Sequence, residues 1–419
     1  SATGLSLSGA YTSGAEQTSS ASSKATGQTE GTSVAVGASV ALTSSTDTVT
    51  GVIDRDVTAG GAVEVGAKST AKSSAGATAS VKGGEKADAG TDKPASGDAG
   101  TVDKQVTAQG DAAKKAGKAA DSGAGAKLDT TKDAPKTEEN NSGGAVSVAA
   151  AVGVNVGVNT VTASVAKGRH ITSGGALKVA SQAQTDASAK ADGSQVDGGS
   201  TSVGVGAAVA LNVGVTTNSA VITDGVVVDA KGVTVSATVP VGEKNDFGAE
   251  AKSGAGAGNV GVAGSLAANV VVNTTVATLE GDKDGSGLGA VVEAGTGDVK
   301  VEATSASASV VKSGADVKGT GGTAKVGVGA SVGLNVGVNT TVAEVADGAK
   351  LTGGKDMTLS AKAAHDLSTE VSGGAAGAKV AVTPLAAVTV GVNTTTARLG
   401  TSATGLSLSG AYTSGAEQT

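Results

Sequence analysis

The 419-residue chain has no cysteine and no tryptophan, and its aromatic residues are Phe247, Tyr11 and Tyr412. Without cysteine there is no disulfide, no thiol nucleophile and no thiolate metal site. Without large side chains a wide globular core cannot be filled to normal density. Histidine is nearly absent too: His170 and His365 stand at unrelated places, without the spaced partners that a catalytic triad or a metal site needs. No apolar run reaches membrane-spanning length, because Gly, Ser and Thr interrupt every stretch. The net charge of −7 is thinly spread. It offers no basic face for nucleic acid and no polybasic segment for a membrane. These absences argue against an enzyme, a cofactor, nucleic acid as a partner and membrane insertion.

What remains is Ala, Val, Gly, Ser and Thr. Small apolar residues alternating with Gly and Ser can fill only a thin core, between sheets packed closely face to face. This composition suits a fibre or solenoid better than a compact enzyme. Carboxylate pairs such as Asp54-Arg-Asp56 read as a solvated strand surface.

Repetition organises the chain at two lengths. Ser402–Thr419 is identical to Ser1–Thr18, an offset of 401 residues. The chain opens at Ser1 with neither an initiating Met nor a charged-then-apolar leader, which reads as an excerpt of a longer tandem array. Within the 401 residues a landmark recurs, an alternating run ending in Asn-Thr: NVGVNT at 155–160, NVVVNT at 269–274, NVGVNT at 335–340 and TVGVNT at 389–394. Weaker copies are NVGVTT at 212–217 and TSSTDT at 43–48. Its fifth position falls at Asp47, Asn159, Thr216, Asn273, Asn339 and Asn393, in steps of 112, 57, 57, 66 and 54 residues. The next copy of Asp47 would lie 55 residues beyond Asn393, so joining tail to head continues the short period. Six units of about 56 residues per 401 are the signature of a solenoid.

Each unit opens with a long alternating run such as Val326–Val338, whose period of two predicts a strand with one buried face. A Gly-rich corner follows, such as Ser173-Gly-Gly-Ala176, and then a second strand such as Leu177–Ser181 or Val299–Ala303. A Ser/Ala-rich stretch such as Thr304–Val310 closes the unit. The expected fold is all-β, a β-solenoid with a thin Val/Ala/Gly core, over residues 1–80 and 143–401, with 402–419 beginning the next copy. If strands have the usual five or six residues, a three-sided coil takes roughly 20, and a unit holds two to three coils. If the alternating run is one long strand, the unit holds fewer. The 112-residue step contains an insertion at 81–142, rich in Lys, Asp, Ala and Gly, which cannot build a core of its own. It reads as a tolerated surface excursion or as a functional appendage.

The recurring asparagines are the candidate site residues: Asn155, Asn212, Asn269 and Asn335 at one place in the unit, and Asn159, Asn273, Asn339 and Asn393 at another. Stacked asparagines can form side-chain amide ladders along a β-coil or stabilise a bend. The competing reading is glycosylation, since Asn140, Asn273, Asn339 and Asn393 match the acceptor pattern. The acidic stretch Glu280–Gly285 reads as an extended loop, or as a calcium loop that departs from the known spacings.

The segments Ile171–Val179, Val57–Val65 and Leu351–Leu359, with the runs Val205–Thr217 and Val328–Thr341, resemble repeats of giant secreted bacterial filamentous adhesins of the filamentous haemagglutinin (leukotoxin) type. The resemblance covers about four fifths of the chain and omits Lys82–Asn141. It implies a right-handed parallel β-helix, secretion to the cell surface and an adhesive or scaffolding role. The expected function is an extracellular structural fibre or stalk whose partners are copies of itself along the axis. The alternative is a surface adhesin that grips host cells or glycans through the 81–142 insertion or the loops.

Overall fold

The computed structural model describes residues 4–31, 34–83, 145–196, 201–282, 289–319, 325–377, 379–400 and 406–419. Within them the chain is all-β, a β-solenoid of stacked parallel sheets. Each coil has three strands. A short one of three or four residues comes first: Leu5–Leu7, Val57–Ala59, His170–Ser173, Val227–Asp229, Val291–Glu293 and Lys350–Thr352 in successive coils. A long strand follows the Gly corner: Tyr11–Gly31, Val63–Gly83, Leu177–Val196, the interrupted pair Val233–Thr238 and Asn245–Ala257, Val299–Gly319, and Met357–Ala375. The chain then returns along the alternating run: Val34–Ile53, Ala145–Val165, Thr201–Ile222, Val260–Leu279, Val326–Val345, and Val380–Val382 with Leu385–Leu399. The stacked strands form a short sheet and two broad sheets that face each other.

The coil is therefore larger than the roughly 20 residues that ordinary strands suggest. Val299–Gly319 has 21 residues and Val326–Val345 has 20, so one unit makes one coil. The Ser/Ala-rich stretch is not a separate side of the coil but the middle of the first broad strand. Nothing in either run breaks the strand, because Gly, Ala, Ser and Val all alternate without Pro. The landmark steps are the register of the second broad sheet: Asp47 pairs with Asn159, Asn159 with Thr216, Thr216 with Asn273, Asn273 with Asn339, and Asn339 with Asn393.

The interior is a wedge. Where the short sheet separates the broad ones, Ile53, Ile171, Leu177, Ile222, Leu279, Leu351, Met357 and Leu359 are fully buried in one continuous core. Farther from the short sheet the broad sheets close on each other, and the buried residues shrink to alanines such as Ala41, Ala77, Ala151, Ala189, Ala210 and Ala249. There the backbones nearly touch. A Cβ added at Gly153 would lie 2.3 Å from the carbonyl oxygen of Lys190, and one at Gly206 would lie 2.2 Å from that of Gly254.

The core is mostly Val and Ala, as expected, but the narrowing turns the valines of the alternating run outward. In Val326–Val345 the buried positions from the start are Gly327, Gly329, Ser331, Gly333, Asn335, Gly337 and Asn339, while Val326, Val328, Val332, Leu334, Val336 and Val338 point outward. Only past the landmark, beside the short sheet, do Ala343 and Val345 fill the interior. The insertion at 81–142 lies outside the described residues beyond Val81–Gly83, which end the strand Val63–Gly83.

Candidate functional site

The asparagines stack in two rows inside the thin part of the wedge. In the first row the Asn155 Nδ2 donates to Asn212 Oδ1 at 2.8 Å, and Asn212 Nδ2 donates to Asn269 Oδ1 at 2.7 Å. The opposite sheet adds further partners: Asn155 Nδ2 reaches Ser73 Oγ at 3.0 Å, and Asn212 Nδ2 reaches the Ala187 carbonyl at 3.0 Å, while Asn155 Oδ1, at the foot of the row, has no donor. Ser309 then bridges two coils, accepting from Asn269 Nδ2 at 2.7 Å and donating to Asn335 Oδ1 at 2.5 Å. Asn335 Nδ2 ends on the carbonyls of Ser309 and Ser368. All four side chains are buried, where an unpaired amide would be destabilising.

The second row is broken. Asn273 Nδ2 donates to Asn339 Oδ1 and Asn339 Nδ2 to Asn393 Oδ1, each at 2.7 Å. Below them stands Thr216, whose hydroxyl bonds to Thr185 instead, so Asn273 Oδ1 has no donor. Asn159, below Thr216, turns its Nδ2 to the carbonyl and hydroxyl of Gln184 and Thr185, both at 3.1 Å. Asn273 and Asn339 are buried, which leaves no room for a glycan on the folded coil; Asn393, on the last coil, is half-buried. Asn140 lies outside the described residues, as does the second half of the acidic stretch, residues 283–285.

The histidines are far apart in the fold. His170 lies on the short sheet, exposed, with its backbone amide donating to Asp56 Oδ1 at 2.9 Å. His365 faces inward from the first broad sheet, with Nδ1 2.7 Å from Ser307 Oγ. Burial pushes its imidazole down to about 4, and the neighbouring Asp366 charge opposes this only in part. Among the described residues no three His, Asp or Glu side chains converge as a metal site, and no helix is long and apolar enough to cross a membrane.

The outer faces of the broad sheets differ. The first carries charge in axial register: Lys68 bonds Glu16 at 2.7 Å, Lys178 bonds Glu64 at 2.7 Å, Lys72 reaches Asp186 at 3.2 Å and Lys190 reaches Glu250 at 3.3 Å. Each pair joins neighbouring coils directly across the ladder. The second carries rows of aliphatic side chains, one of them Val40, Val152, Val209, Leu266 and Val332. The repetition made the asparagines visible in the sequence. Their partners Ser73, Thr185 and Ser309 and the outward valine rows were not, because both depend on which strand lies opposite.

The copied segment seats on the last coil. Tyr412–Gln418 pairs with Met357–Ala363, while the identical Tyr11–Gln17 pairs with Val63–Ser69 at the other end. Glu417 reaches Lys362 at 3.7 Å, as Glu16 reaches Lys68. Asp356 Oδ1 accepts the Ala411 amide at 2.8 Å, and that bond holds its carboxyl below the usual carboxylate range. No known protein family matches this chain, and neither a curated protein nor a solved structure is similar to it.

Proposed function

We propose that this chain is a mechanical element, a structural fibre or stalk on a bacterial surface in which the 401-residue unit repeats along one solenoid axis. The observation that carries this reading is the double fit of one segment. The sequence Tyr11–Gln17 ladders onto the coil above it, and the same sequence at Tyr412–Gln418 ladders onto the coil below it. A segment that matches both ends of a six-coil stack lets each copy cover the open edge of the next, which is how a sheet edge is kept from uncontrolled pairing. Backbone ladders running the length of the axis would resist tension and proteolysis without disulfides. Placement outside the cell rests on the resemblance of the Gly-corner segments to the filamentous adhesins.

Electron cryo-microscopy of the native material tests the reading. Six coils at about 4.8 Å predict an axial period of about 29 Å for each 401 residues. A filament with that period supports a fibre; discrete particles of one repeat would overturn it.

A further inference from the structure

We infer that the outer face of the second broad sheet is a lateral interface on which a second copy of this chain packs, face against face. The observations are its composition, its extent and its repeat. Across successive coils the outward rows read Val34, Val146, Val203, Val260, Val326 and Val380; then Val36, Val148, Val205, Val262, Val328 and Val382; and nearer the landmark Leu42, Val154, Leu211, Ala268, Leu334 and Val388. Exposure on this face reaches 42% at Val332 and 37% at Leu266, in the middle of the stack rather than at its ends. From Val326 to Thr340 no outward position is charged in any coil; the first ions are Glu344 and Arg398, paired with each other at the border beside the short sheet.

Twelve residues at about 3.3 Å by six strands at about 4.8 Å make the apolar field roughly 40 by 29 Å, on the order of 1,100 Å². Exposed apolar patches on solitary soluble proteins rarely exceed a few hundred Å². A stable interface buries about 800 Å² per partner, so this face suffices without any other contact. A second copy is the occupant that fits. Its rows have the same axial spacing, so branched side chains of one sheet fall between those of the other along the whole length. Two inner faces of a sandwich meet in the same way. The charged first broad sheet cannot serve as the partner surface, because its lysines and carboxylates would lose water to aliphatic groups. Each solenoid has one such apolar face, so association stops at a pair, with the charged faces outside. The inference does not rest on end-to-end assembly, since one 419-residue chain carries the whole face.

The test uses the intact chain, which has no native cysteine. Sedimentation equilibrium should find a dimer. Leu266→Lys with Val338→Lys should weaken it by at least about 100-fold, with the strand signal in circular dichroism unchanged, because both positions point out. A single Leu266→Cys should be joined to its copy by a short bismaleimide, and Ser188→Cys on the charged face should not. A monomeric wild-type chain would overturn the inference. So would a dimer indifferent to the lysines, cross-linking through Ser188→Cys instead, or a monomer that binds phosphatidylcholine vesicles through this face. Filaments of the double-lysine variant in the microscope report on axial assembly separately, so the two readings fail independently.

Discussion

The two broad sheets of one coil are built from strands of nearly equal length and equally regular alternation, yet they solve opposite problems. The first turns small and hydroxyl side chains inward and charge outward, the arrangement usual for a sheet with one wet face. The second turns glycine and asparagine inward and valine outward. Spacing explains the difference. With the sheets so close that a Cβ at Gly206 would meet a carbonyl at 2.2 Å, most large side chains of this run are displaced to the outer surface, and buried Phe247 is accommodated only opposite Gly214. The asparagines sit in that narrow gap because their amides bond along the axis and across it together. Valine rows on the outside still shield one another, since each is flanked by its counterparts in the coils above and below.

The sharpest way to break this arrangement is to put bulk into the gap. Gly206→Val should destabilise the solenoid by more than about 3 kcal/mol, since overpacking here meets backbone rather than a movable side chain. Thermal unfolding should show it as a large drop in the melting temperature or as failure to fold. Removing an amide is the next largest effect. Asn212→Ala deprives Asn155, Asn269 and the Ala187 carbonyl of a partner. The loss should be about 2–3 kcal/mol in a denaturant titration, while the same change at half-buried Asn393 should be much milder.

Acid probes the first sheet. An unfolded histidine takes up a proton near 6.5, whereas His365 in the coil resists down to about 4. Its contribution is intact above about pH 6.5 and falls as the pH drops from there toward 4. The loss should be on the order of 1–2 kcal/mol, reduced by the solvent that reaches its open side. A melting-temperature profile across that window should flatten in His365→Asn; an unchanged slope would assign the acid sensitivity to other groups. In the opposite direction, Thr216→Asn should repair the break in the second amide row by giving Asn273 Oδ1 a donor, raising stability by about 1 kcal/mol. The smallest effect sharpens the contrast of faces. Gly76 points out of the first sheet with nothing within 4 Å of an added Cβ, so Gly76→Ala should stabilise by a few tenths of a kcal/mol, where alanine at Gly206 should not.

Much of this was legible in the residues. The Asn-Thr landmark defined the pairing of the second broad sheet, because a ladder that buries polar amides tolerates no slip of one residue. The corner at Ser173–Ala176 and the strand starting at Leu177 marked where the coil turns, since paired glycines interrupt the alternation there. The size of the coil was not legible. A run of Gly, Ala, Ser and Val continues as one strand or bends according to what covers it. The serines that complete the amide rows, Ser73 and Ser309, were hidden for the same reason: they belong to strands far away in sequence and become neighbours only when the sheets close.

By itself the sequence determined that the chain is all-β, that it repeats, which residues stack on which, and that cysteine chemistry is absent. It also determined that every strand has two unlike faces, since a period of two requires that. Only the tertiary structure decided which face is inside. Period fixes that the sides differ, whereas the choice between them depends on the gap to the opposite sheet. Here the gap widens to hold leucine and isoleucine beside the short sheet and narrows to a space filled mostly by glycine, alanine, serine and asparagine, where Phe247 fits because Gly214 faces it.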